Sequence, residues 1–248
     1  MQDRLARQTI LSAALALSAL QLLFSGPANS LVGADLVDLS LQRYTVIVAN
    51  AKGHCTGVVL AQNIVLTAAH CVTNMQNLWI GGDRGFGDPS GPPVEFSRVA
   101  EVAVHPRCDS GASHSIDLAL LRIATPLPDR FLPAFFGASV PSEGDDLVVA
   151  GYGMSADKDP MAGKILRMGL LRVARRYKDV LMLVSTREEA SGAGHGDPPG
   201  GPVFSYHGML ALVAVMVSGG GIAHATFAVP IAPNYAWVKE TMAKWGVS

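Results

Sequence analysis

The sequence predicts an all-β fold, and three observations carry that prediction. Short runs of β-type residues recur along the 248 residues, each bounded by turn formers such as Gly, Pro, Asn or Asp. The 26 glycines suit tight turns, and 49% of the residues are hydrophobic, enough for a substantial core in a chain of this length. Helical periodicity enters only after Pro230. Taken alone, the pattern allows a sandwich or barrels.

The chain opens with Arg4 and Arg7, an apolar run from Ile10 to Phe24, and small residues at Ala28 and Ser30. That order suits a secretory signal peptide over residues 1–30, with an uncleaved anchor as the alternative. No other segment is long and apolar enough to cross a bilayer, so export is expected, with no membrane contact after signal cleavage.

Six β-type runs follow in the first half: Tyr44 to Asn50, Thr56 to Ala61, Ile64 to Ala68, Leu78 to Ile80, Val94 to Val104 and Leu118 to Ile123. Six more lie in the second half: Asp146 to Gly151, Lys164 to Ala174, Val180 to Val184, Gly201 to Ser205, Met209 to Val217 and Ala225 to Val229. Between the halves, Thr125 to Pro141 holds four prolines and reads as a crossing linker. At the end, Tyr235, Val238, Met242 and Trp245 fall at helical spacing, and Pro233 is acceptable in a first turn. A short amphipathic helix is expected there, with Trp237 and Trp245 as core residues.

Charge excludes some partners. The formal net charge is −1 with acids and bases interspersed, so no basic stripe points to nucleic acid. The seven histidines form no close-spaced zinc pattern. Gly219-Gly220-Gly221 opens no helix, so no phosphate-cradling loop is indicated. Neither a cofactor nor a metal is expected.

Three segments carry candidate chemistry, in this order: Thr67-Ala68-Ala69-His70-Cys71, Asp117-Leu118-Ala119-Leu120-Leu121, and Gly196-Asp197-Pro198-Pro199-Gly200-Gly201-Pro202. The ordered set resembles the chymotrypsin and trypsin family of serine peptidases, as a bacterial-type secreted member, from about Leu31 to the C-terminus. The family writes its nucleophile loop Gly-Asp-Ser-Gly-Gly-Pro, and this chain has two prolines where one serine belongs. The resemblance implies two six-stranded antiparallel β-barrels, over residues 31–130 and 131–248, with a short C-terminal helix.

It also implies roles. Serine-peptidase chemistry needs an activated alcohol, a neutral imidazole to take its proton, and a carboxylate that fixes the imidazole's tautomer. His70 would be the general base and Asp117 its orienting partner. Aligned from Gly196-Asp197 the serine position is Pro198; aligned back from Gly200-Gly201-Pro202 it is Pro199. Ser218-Gly219-Gly220 resembles the family's substrate-binding strand, and its distance from Pro199 favours that residue. Neither alignment supplies a hydroxyl, and proline has no N–H for the oxyanion hole. Ser191 and Ser205 are the substitutes considered, each with a structural reading as a loop or strand hydroxyl.

The remaining implications concern the surroundings. Cys55 and Cys71 stand at the spacing of the family disulfide that staples the histidine loop, the alternative being two buried thiols; Cys108 is left over, favoured as a free loop thiol with an intermolecular bond as the alternative. Leu31-Val32-Gly33-Ala34 resembles the family's inserting N-terminus, for which Asp197 would be the partner; an ordinary mature terminus is the alternative. The specificity position falls on Ala193 or Gly192, so no preference for Lys or Arg is implied. Asp83, Asp88 and Glu95 occupy a loop that binds calcium in some relatives and reads equally as a solvated loop. The expected protein is a secreted or periplasmic monomer, a peptidase homologue that binds a peptide or protein ligand without cleaving it. An active endopeptidase with an irregular loop is the alternative.

Overall fold

The computed structural model describes residues 39–50, 53–72, 77–82, 94–109, 115–152, 166–186, 199–219 and 225–247. A single helical turn, α1 (Leu39–Gln42), leads into β1 (Thr45–Ala49), β2 (His54–Ala61), β3 (Ile64–Thr67), β4 (Trp79–Gly82), β5 (Val94–Val104) and β6 (Ala119–Ile123). These six close into a barrel in the order β1-β2-β3-β6-β5-β4. The second barrel, β10-β11-β12-β9-β8-β7, is built from β7 (Asp146–Gly151), β8 (Arg167–Arg176), β9 (Leu181–Ser185), β10 (Pro202–Tyr206), β11 (Leu210–Gly219) and β12 (Ala225–Pro230). A 3-10 turn over Ala232–Asn234 then starts α2 (Tyr235–Lys244). The fold is the chymotrypsin-like double barrel, in which closure leaves no long open sheet edge.

Strand alternation explains how the barrels join. Val203 of β10 turns inward, packing with Leu147, Leu171, Leu183 and Met216 in the interior of the second barrel. Its neighbour Phe204 points the other way and joins the larger core that runs from the first barrel to the barrel interface, where its ring lies 5.8 Å from that of Tyr44. β1 is buried at every position because one face fills its own barrel and the other faces outward into packed structure.

The proline-rich linker crosses as expected, and its hydrogen bonds show how. Leu132 N–H donates to Arg43 and Ala134 N–H to Val59, both in the first barrel; Gly137 N–H donates to Leu212, which returns its own N–H to Phe135. The segment is thus sewn first to one barrel and then to the other.

Three details differ from expectation. β8 runs on to Arg176, past a bulge between Val173 and Arg175, because Arg176 still pairs with Leu181 before the turn closed by Tyr177 N–H on Val180 O. Within α2, Val238 and Met242 are buried, but Tyr235 is 42% exposed, its ring edge-on to Phe136. And α1, one turn long, carries no periodic signal that a sequence could show.

Candidate active site

His70 sits in a one-turn 3-10 helix, Ala69–Cys71, directly after β3. Asp117 precedes β6, the strand hydrogen-bonded to β3, so neighbouring strands bring the two together. Three bonds fix the pair. Asp117 Oδ2 lies 2.6 Å from His70 Nδ1, Asp117 Oδ1 accepts the His70 backbone N–H at 2.8 Å, and the Asp117 carbonyl accepts the Ala69 N–H at 3.3 Å. The carboxylate therefore holds both the ring and the backbone of the histidine. Its acceptor oxygen assigns the ring proton to Nδ1, leaving a lone pair on Nε2. Asp117 is 19% exposed and His70 44%, so the imidazole is open to a ligand while its partner is sheltered.

Cys55 and Cys71 form a disulfide that ties β2 to the residue after His70, and Cys108 is a free thiol. Burial, the largest influence, pushes the Cys108 thiol above its ordinary range. Cys71 Sγ lies 3.6 Å from His70 Nε2. Neither atom has a proton to give when Nδ1–H faces Asp117, so this is a van der Waals contact. The two sulfurs and a ring nitrogen of His70 lie within 4.8 Å of one another. Sulfurs bonded to each other offer no thiolate to a cation, so the grouping is not a metal site.

Next to Cys55, Thr56 joins the histidine side to the Pro199 loop. Its N–H donates to the Pro199 carbonyl at 2.8 Å, its own carbonyl accepts the Thr67 hydroxyl at 2.7 Å, and its hydroxyl accepts the Tyr152 N–H at 2.8 Å. Gly200 then turns with φ +83° and donates its N–H to Met216 O at 2.7 Å. A Cβ on Gly200 would stand 2.0 Å from the Thr56 carbonyl oxygen and 2.2 Å from Thr67 Oγ1. Only glycine fits. Sequence reasoning named Thr67 only as the first residue of the histidine string and gave Thr56 no role, since a lone threonine in a β-run carries no signal.

Gly196, Asp197, Pro198 and Gly220 lie outside the described residues, as do Ser191, Gly192, Ala193, Asp83, Asp88 and the segments over residues 1–30 and 31–34. Glu95 is described and pairs with Arg98 at 2.6 Å. Ser218 is exposed near the end of β11, paired with Phe227 of β12, and Gly219 pairs with Thr226. Among the described residues, the buried Thr226 hydroxyl has no hydrogen-bond partner. Ser205 sits within β10 opposite Ala211, committed to the sheet.

Two six-stranded barrels presenting a histidine oriented by an aspartate define the chymotrypsin-like serine protease class. The chain belongs to the trypsin family, whose model matches residues 32–238. It is 33% identical over 109 residues to mouse kallikrein 1-related peptidase b22, a match covering 40% of this chain and 41% of that one, so the chain spans less than half of that relative. Against mouse kallikrein 1-related peptidase b16 the match is 28% over 245 residues, covering 87% and 91%. Among solved structures, the scabies mite inactivated protease paralogue S-I1 superposes with a TM-score of 0.67 at 21% identity, over 86% of this chain and 100% of that chain; this likeness is one of fold. These curated relatives are mouse proteins, and they lend no support to the bacterial-type affinity expected from the sequence.

Proposed function

We propose that this chain is an exported trypsin-family homologue that binds a peptide or protein ligand and does not hydrolyse it. The observation that carries the reading is Pro199, bonded through its carbonyl to Thr56 and followed directly by the left-handed Gly200; the family resemblance puts the nucleophile at Pro199 or at Pro198. Proline there supplies neither an alcohol nor an N–H. Loss of a triad serine costs on the order of 10⁶ in rate, and loss of an oxyanion donor about 10² to 10³. The two losses are not additive, but either silences an ordinary peptidase.

The retained His70–Asp117 pair keeps an imidazole lone pair as a hydrogen-bond acceptor for a ligand. The disulfide favours an oxidising compartment, which agrees with export. Among the described residues, no helix is long and apolar enough to cross a membrane.

A second reading, an active endopeptidase using another hydroxyl such as Ser191, is favoured by the same intact His70–Asp117 pair. Replacement of Pro198-Pro199 by a single Ser separates the two. Under the proposal, wild type leaves unstructured protein substrates uncut and the variant gains weak peptidase activity. Wild-type cleavage at the rate of the variant would overturn it.

A further inference from the structure

Far from Pro199 in sequence, the turn after β5 clasps both barrels. Cys108 N–H donates to His105 O at 2.9 Å, closing a β-turn with Pro106 at its second position. Inside that turn, Arg107 N–H donates to His105 Nδ1 at 3.2 Å. The bond makes Nδ1 an acceptor and places the ring proton of neutral His105 on Nε2. The His105 backbone N–H donates to Leu118 O at 2.9 Å, one residue past Asp117. From the same turn the Arg107 guanidinium reaches Asp179 at 2.8 Å, in the β8–β9 hairpin of the other barrel. The His105 ring, buried, meets Trp237 of α2 edge-on at 4.7 Å.

We propose that the His105–Cys108 turn is an acid-sensitive latch between the barrels: neutral His105 accepts the Arg107 N–H and so aims the Arg107 side chain at Asp179, and protonation of Nδ1 releases this strap. An imidazolium at Nδ1 sets one donor against another and a second cation beside the guanidinium. Among the described residues, the groups facing the ring are few. Arg107 comes from its own turn, Asp179 from the β8–β9 hairpin, and from α2 the uncharged Trp237. Burial, then Arg107, hold the His105 pKa below its ordinary value, against the opposing pull of Asp179. The sign follows. A histidine whose pKa is depressed on folding contributes its stabilisation above its unfolded value of about 6.5 and loses it as pH falls below that. The latch is closed at neutral pH and opens in acid, whatever the site at His70 does.

Hydrogen exchange of the intact protein, corrected for intrinsic rates, tests this in residues 105–109 and 177–181. Between pH 7.5 and 5, wild type should lose protection in both segments by about fivefold, as expected for one hydrogen bond and one surface ion pair lost together. His105→Asn keeps an acceptor near the Nδ1 position and cannot titrate, so its protection should not fall with pH. An equal fall in His105→Asn, or none in wild type, would overturn the latch. Should His105→Asn not fold, imidazole ¹⁵N shifts of wild type decide: a neutral His105 protonated on Nδ1 contradicts the proposal, and one protonated on Nε2 that titrates below the ordinary range upholds it.

Discussion

The Thr56 N–H donates to the Pro199 carbonyl at 2.8 Å, and this bond joins the two halves of the candidate site. Thr56 follows Cys55, which is bonded to Cys71, which follows His70. A short covalent and hydrogen-bonded path therefore runs from the imidazole to Pro199, one of the two prolines proposed for the nucleophile position. Pro199 is held to the histidine side of the fold through this bond.

Gly200→Ala should be the most damaging single change on this path. The added methyl meets the Thr56 carbonyl oxygen at 2.0 Å in a left-handed backbone, so something must shift. A loss on the order of 3 kcal/mol or more is expected in urea unfolding. A loss below about 1 kcal/mol would mean that the loop reforms freely.

Thr56→Val removes the hydroxyl that accepts the Tyr152 N–H while nearly preserving shape. Loss of that buried hydrogen bond should cost about 0.5–1.5 kcal/mol. Thr226→Val should act oppositely, because the hydroxyl it removes is buried with no hydrogen-bond partner among the described residues. Unfolding free energy should be unchanged or raised by about 1 kcal/mol. If both variants lose the same amount, the bookkeeping of polar groups at the site is wrong.

Reduction of the Cys55–Cys71 disulfide, or Cys55→Ala with Cys71→Ala, frees a loop with a sequence separation of 16. The expected cost is about 3 kcal/mol in the free energy of chemical unfolding. The free Cys108 offers an internal comparison, since its replacement by Ser breaks no covalent link.

Asp146 gives a pH signature distinct from that of His105. Its hydrogen bond from Arg172, the largest influence, holds its carboxyl below the ordinary range. A depressed carboxylate contributes stability above its unfolded pKa of about 3.9 and loses it as pH falls through its folded value. Asp146→Asn should thus be less stable than wild type at pH 7 and converge with it in strong acid. The gap should be small, since both side chains are 52% exposed. A gap that widens in acid would reverse the assignment.

How much of this was legible in the sequence follows from the physics of each part. The twelve strands were readable because each apolar run ends at turn formers, and α2 because Val238 and Met242 keep a helical interval. His70 and Asp117 were readable because each lies in a short string with a fixed order along the chain. The Thr56–Thr67–Gly200 knot was not, since it depends on which backbone groups meet after both barrels have closed. Nor was the contact of His105 with Trp237, which links the end of one barrel to the terminal helix and leaves no local pattern. The neutral specificity position at Ala193 or Gly192 falls outside the described residues and stands as a reading of sequence.

The central claim is that the nucleophile position is empty of chemistry while His70 and Asp117 stay paired. A serine-directed fluorophosphonate probe, applied to the purified protein beside its His70→Ala variant, tests it most directly. No covalent labelling of either protein is the expected result. Labelling of wild type that disappears in His70→Ala would contradict it, because it would reveal a hydroxyl activated by that imidazole.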